Sequence, residues 1–350
     1  MTRKAPSKKA KTRTVFRRII KWVFIGFTGV IALFIVGVSV FFYKLNPTGI
    51  GVGKGAHRAE TCFKCHPQHL KEWRDGMTAA FTAMKEPFLA GQAEEFAGPM
   101  CWKCHDPFKL GLEEGVTCEY CHGINGAPDE EGHKVYAERL VELKDESFCF
   151  KCHRVIQPIT KADLQGTVQE WMKSPAKKEG LTCQGCHMPV IGEDLARHHF
   201  HGHYFPNRNP LPNRESLTIE EIRNEDENII VFVKNSIRAH YLPSGAHTKA
   251  LFLIVEGFDG IQNIPVFQDK YIFIKRFQFK KILGLQTFPF AVYMDTRLKP
   301  EEIRKIIFAQ KSSLKIKKVV ATIRCAFVGD LGFDPEYFTS DFIVKKEVYF

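Results

Sequence analysis

The sequence predicts a mixed fold in three parts: a single N-terminal transmembrane helix, a mainly helical and looped middle domain, and a C-terminal all-β domain of sandwich type. Three observations carry this prediction. An uncharged run of 21 residues follows a basic tail, ten of the 11 cysteines fall into five copies of one short motif, and beyond residue 228 apolar β-rich runs alternate with turns.

A chain of 350 residues with 44% hydrophobic and 25% charged side chains has room for more than one domain. Residues 1–22 hold nine basic side chains and no acid; of the formal net charge of +11 this leaves +2 for everything else. The basic character therefore belongs to the tail, and nucleic-acid binding is not expected of the folded part. The run VFIGFTGVIALFIVGVSVFFY, 23–43, carries no charge. A bilayer core takes about 20 apolar residues in a helix, so the run predicts one span in contact with membrane lipid. The basic flank predicts a cytoplasmic N-terminus, inner-membrane localisation, and an extracytoplasmic or periplasmic position for the chain beyond Lys44. Trp22 and Tyr43 stand where interfacial aromatics belong. A cleaved signal peptide fits less well, because its apolar segment is only about 7–15 residues long. The glycine-rich stretch NPTGIGVGKG makes 44–56 a flexible linker.

The middle domain, 57–214, is defined by its cysteines. Five C-x-x-C-H copies occur: Cys62, Cys65, His66; Cys101, Cys104, His105; Cys118, Cys121, His122; Cys149, Cys152, His153; and Cys183, Cys186, His187. This is the attachment signature of c-type haem: two thiols three apart form thioethers to one porphyrin, and the next histidine ligates the iron. Zinc ribbons do not demand a histidine after every C-x-x-C, redox C-x-x-C pairs occur singly, and disulfide frameworks do not repeat a fixed spacing. Five covalently bound haems c are thus expected, with His66, His105, His122, His153 and His187 as proximal iron ligands. From His57 to His203 there are 147 residues, too few to wrap five haems separately, so the porphyrins are expected to form much of the core and exchange electrons rapidly. KEWRDGMTAAFTAM and LVELKDESFCFKCH look helical.

Nine histidines outside the motifs compete for the other axial positions. His57 lies just before the first motif, and His133 ends a Gly-, Pro- and acid-rich loop. RHHFHGHY contributes His198 and His199 among its four histidines, and His240 lies between two strand-like runs. His69 shares a helix face with His66 and reads as structural.

The last part, 215–350, contains NIIVFVKN, KALFLIVEGF, PVFQDKYIFIKRFQF, FAVYMD, KIKKVVATIRCAFVG and FIVKKEVYF, strand-like runs without a haem motif. Cys325 stands in one of them and reads as a buried, inert thiol. This part is a lid over the haem array that contributes His240, or a surface for a partner.

From about residue 56 onward the sequence resembles the multihaem cytochromes c related to the tetrahaem electron acceptor of hydroxylamine oxidoreductase, in a pentahaem form with a C-terminal β domain. The resemblance rests on CFKCHPQHLKEW, GVTCEYCHG followed by His133, EWMKSPAKKEGLTCQGCHMP, RHHFHGHY, VKNSIRAHYLPSG and DTRLKP. It implies stacked and perpendicular haem pairs, mostly bis-histidine, in respiratory electron transfer. It also implies that His133, one of His198 and His199, and His240 are distal ligands. Relatives often carry a histidine soon after the tryptophan of the first motif segment; here Trp73 is followed by Arg74, Asp75, Gly76, Met77 and Thr78. Met77 is therefore a candidate axial ligand that would raise the iron's potential, or ordinary packing.

The leading functional expectation is a membrane-anchored electron-transfer cytochrome of a respiratory chain, with redox proteins of the periplasm or membrane as partners. Three alternatives stand beside it. One is an oxidoreductase acting on a small nitrogen or sulfur compound at an open haem. Another is a quinol dehydrogenase, and the last is a structural subunit of a larger respiratory complex. No catalytic residue is assigned, and no motif replaces its proximal histidine by lysine.

Overall fold

The computed structural model describes residues 21–34, 36, 62, 67, 69, 73, 104, 116–122, 145–154, 156, 163–193, 199–201, 216–225, 227–245, 249–261, 263–282, 285–310, 315–327 and 338–350. The chain forms two units, 1–51 and 52–350.

In the first unit, helix α1 covers 21–34 with its apolar side chains exposed, Trp22, Phe24 and Phe34 among them. Thr28 turns its hydroxyl onto the carbonyls of Phe24 and Ile25, both at 3.0 Å, which satisfies it within the helix. Among the described residues no helix is long and apolar enough to cross a membrane. The single transmembrane helix expected over 23–43 is corrected on this ground, and with it the fold class and the single-pass inner-membrane localisation. Beyond Val36, the remainder of the run lies outside the described residues.

The described part of the second unit is mostly β-sheet with short helices. The helices are α2 (Cys118–His122), α3 (Ser147–His153), α4 (Thr167–Met172), α5 (Pro175–Lys178) and α6 (Cys183–His187). Four of them have a local start signal. The Asp145 carboxylate accepts from Ser147 N at 2.8 Å ahead of α3. Ser174 caps α5 from the extended region with Pro175 at its first position, and Thr182 accepts from Gly185 N at 3.0 Å at the start of α6. Gly166, at φ 81°, turns the chain into α4.

The strands are β1 (Val190–Glu193), β2 (His199–His201), β3 (Leu217–Glu225), β4 (Asn228–Asn235), β5 (Lys249–Phe258), β6 (Phe267–Phe273), β7 (Lys275–Ile282), β8 (Leu285–Asp295), β9 (Ile303–Ala309), β10 (Lys318–Phe327) and β11 (Phe338–Tyr349). All described strand pairings are antiparallel. One sheet runs β3-β4-β9, another β11-β10-β5-β6, and β1-β2 and β7-β8 pair as two-stranded ribbons. Register is set by burial: Val231 lies between Ile222 and Ile306, and Leu253 between Ile323 and Tyr271.

The inner faces of the two larger sheets share a core. Ile219, Val231, Val233 and Phe308 come from one, and Leu253, Val255, Phe273, Val319 and Ile323 from the other. Several are fully buried, each contributing about 1.5–3 kcal/mol. Cys325 is buried in the same core. The start of β5 is covered on its other face as well, where Ala250 and Phe252 pack with Ile274 and Ala326, which is why KALFLIVEGF is nearly continuous in apolar residues.

Candidate functional site

Three of the five C-x-x-C-H motifs are described throughout, and each closes a short helix: CEYCH is α2, SFCFKCH is α3 and CQGCH is α6. Helical geometry puts residues three and four apart on one face, so both thiols and the histidine of a motif present themselves together. From the first two motifs, Cys62 and Cys104 are described; Cys65, His66, Cys101 and His105 lie outside the described residues.

The motifs meet through their thiols. Cys62 hydrogen-bonds with Cys118, Cys104 with Cys152, and Cys149 with Cys183. The thiols of Cys118, Cys152 and Cys183 are pushed up, first by the hydrogen bond to the partner sulfur and then by burial. The first motif thus touches the third, and the fourth touches the second and the fifth. Trp73 Nε1 donates to Val116 O at 2.9 Å, tying the segment after the first motif to the turn before α2.

His187, at the end of α6, faces His240, in the loop after β4. Their rings are parallel to within 9° with centroids 6.4 Å apart. A metal–nitrogen bond of about 2.0 Å, with about 1.1 Å more to each ring centre, sets two coaxial imidazoles about 6.2 Å apart across one metal. The centroid spacing of the pair is close to that value, so a metal held between them would be compatible with it. Among the described residues no three His, Cys, Asp or Glu side chains converge on a metal position. His240 Nδ1 lies 3.2 Å from its neighbour's carbonyl, Tyr241 O. Donation from Nδ1 leaves Nε2 as the free lone pair. Burial, reinforced by His187, lowers His240 to about 4, which keeps its ring neutral at neutral pH.

The remaining sequence candidates are spread over several elements. His122 and His153 end α2 and α3. His69 is half-buried and helical. His199 belongs to β2, which pairs with β1 directly after α6, so RHHFHGHY is in part a strand rather than a loop. His57, Met77, His133 and His198 lie outside the described residues.

Beside His240, a cleft of about 410 Å³ is lined by Glu170, Tyr241, Lys275, Asp295 and Arg297. The sequence alone assigns no role to its charged groups. Glu170 stands in EWMKSP, Lys275 in YIFIKRFQF, and Asp295 and Arg297 in DTRLKP, and buried charge is legible only once burial is known.

No family model and no curated protein matches the chain. Among solved structures, it is similar to a penta-heme cytochrome c552 from Thermochromatium tepidum, with 18% identity over 83% of this chain and 99% of that one, at a TM-score of 0.58. The two share a fold. A superoxide reductase in the oxidized state overlays 39% of this chain and 90% of its own, with 13% identity and a TM-score of 0.20.

Proposed function

We propose that the chain is a multihaem c-type cytochrome that carries electrons, with five haems c held by the five C-x-x-C-H motifs. The observation that carries this reading is the parallel pair His187 and His240 at single-metal spacing, on the helix formed by the last motif and on a loop distant in sequence. The fold shared with a penta-heme cytochrome supports it.

When bound, haem c supplies a one-electron iron couple. The residues of this chain do the rest. Paired cysteines on single helical turns anchor the group covalently. Burial, reinforced by His187, holds His240 neutral, and the Tyr241 carbonyl accepts from its Nδ1, which leaves the lone pair on Nε2. Contact of the fourth motif with the second and the fifth supports a junction there, through which electrons are shared among neighbours. His57, His133 and one of His198 and His199 are the remaining distal candidates. The finer kinship with the tetrahaem acceptor of hydroxylamine oxidoreductase, a respiratory role and a redox-protein partner belong to this proposal, on motifs such as GVTCEYCHG and RHHFHGHY.

Haem content tests it. The full chain produced with a haem-attachment system is expected to show five haems by pyridine haemochrome and intact mass, all reversibly reducible. Free motif thiols or stoichiometric zinc in that preparation would contradict it.

A further inference from the structure

The loop carrying His240 is fastened on both sides. Before it, Asn235 is fully buried at the end of β4. Its Nδ2 lies 3.3 Å from His240 O, 3.2 Å from Leu298 O and 2.9 Å from Lys299 O, while its Oδ1 accepts from Ile237 N at 2.9 Å. After it, Tyr241 N donates to Glu170 Oε2 on α4 at 3.0 Å. The other Glu170 oxygen meets Arg297 Nη1 at 2.7 Å. Arg297 also grips Asp295 through Nε at 2.9 Å and Nη2 at 2.8 Å, reaches Pro243 O at 3.4 Å, and lays its guanidinium over the Tyr241 ring at 5.0 Å. Leu242 and Leu298 exchange both backbone hydrogen bonds at 2.9 Å.

Glu170 and Arg297 keep only 9% and 5% of their side-chain surface. Burying such a pair costs several kcal/mol of desolvation per ion, and an apolar pair of the same volume often stabilises as well or better. Stability is thus a weak reason for the pair, and the sheets around it already have an apolar core. Its geometry is specific: it ties α4, which leads through α5 into the last haem motif, to the residue following His240. Gly166 keeps room for it, since a Cβ there would lie 2.5 Å from Glu170 Oε1 and 3.0 Å from Lys275 Nζ.

We propose that Glu170 and Arg297 are positioning residues that hold His240 opposite His187. This rests on the reading of those two histidines as an axial pair. Arg297 is suited to the task because its planar fork grips Asp295 through Nε and Nη2 while Nη1 lies beside Glu170, a bidentate geometry that a lysine ammonium does not reproduce.

The test uses the full haem-loaded chain and ferric EPR. His240→Ala is expected to convert one haem to high spin. Arg297→Ala is expected to convert part of that same haem, matching about 10–100-fold weaker axial binding, the usual effect of removing a group that orients a ligand. Arg297→Lys recovers only part of the low-spin signal, and combining Arg297→Ala with His240→Ala adds nothing to His240→Ala. A folded Arg297→Ala protein with the parent low-spin spectrum overturns the positioning role while leaving the axial pair intact. If Arg297→Ala does not fold, Glu170→Gln, nearly isosteric, carries the same two outcomes. An unchanged spectrum in His240→Ala overturns the axial reading itself, and the positioning role with it.

Discussion

The β-sheets and the motif helices of the second unit are held together in different ways. The sheets bury Val231, Leu253, Phe273 and Ile323 completely, in one core between two faces. Around the described motifs the buried apolar side chains are Tyr120, Phe148, Val168, Trp171 and Ala176, and the motif helices turn sulfur toward sulfur. Helices of five to seven residues are too short to persist by themselves. One region is sustained by its own apolar surface. The other, if the chain is the multihaem cytochrome proposed, is completed by the haems its cysteines bind.

The largest expected effect breaks the two regions apart. Replacing all ten motif cysteines by alanine is expected to abolish haem attachment and protection of α2, α3 and α6 against hydrogen exchange, while β5 and β10 remain protected. Loss of protection in β5 and β10 as well would show that the regions fold as one. Next in size, Leu253→Ala is expected to cost about 2–5 kcal/mol in denaturant unfolding with haem content unchanged. Smaller again, Thr182→Ala removes the cap of α6 and is expected to cost about 1 kcal/mol, seen as a lower melting temperature. At the small end, Arg223→Ala breaks exposed pairs with Glu221 and Glu225 on β3 and is expected to leave the melting temperature where it was.

The same contrast governs what can be read from the sequence. NIIVFVKN and KALFLIVEGF coincide with β4 and β5, because strands buried on one or both faces announce themselves as apolar runs. The strands LTIEEIRNE and IRKIIFA, β3 and β9, escape such a reading because charges on their outer faces interrupt the apolar pattern. LVELKDESFCFKCH looks helical; of its described residues α3 takes Ser147–His153, after a turn in which Asp145 accepts from Ser147 N, and 140–144 lie outside the described residues. At the site, the motif cysteines and His240 are legible as residue types, since spacing and loop context single them out. The ion pair that fastens His240 is not: Glu170 and Tyr241 stand 71 residues apart, and nothing local marks a charge that folding will bury. The apolar run 23–43 goes the opposite way: its composition indicates a span, whereas among the described residues no helix is long and apolar enough to cross a membrane.

The central claim is that one iron lies between His187 and His240. Anomalous diffraction at the iron edge from crystals of the haem-loaded chain tests it most directly. An iron peak is predicted on the line joining the two ring centres, midway between them. Iron absent from that position, with His240 turned away from His187, would contradict it.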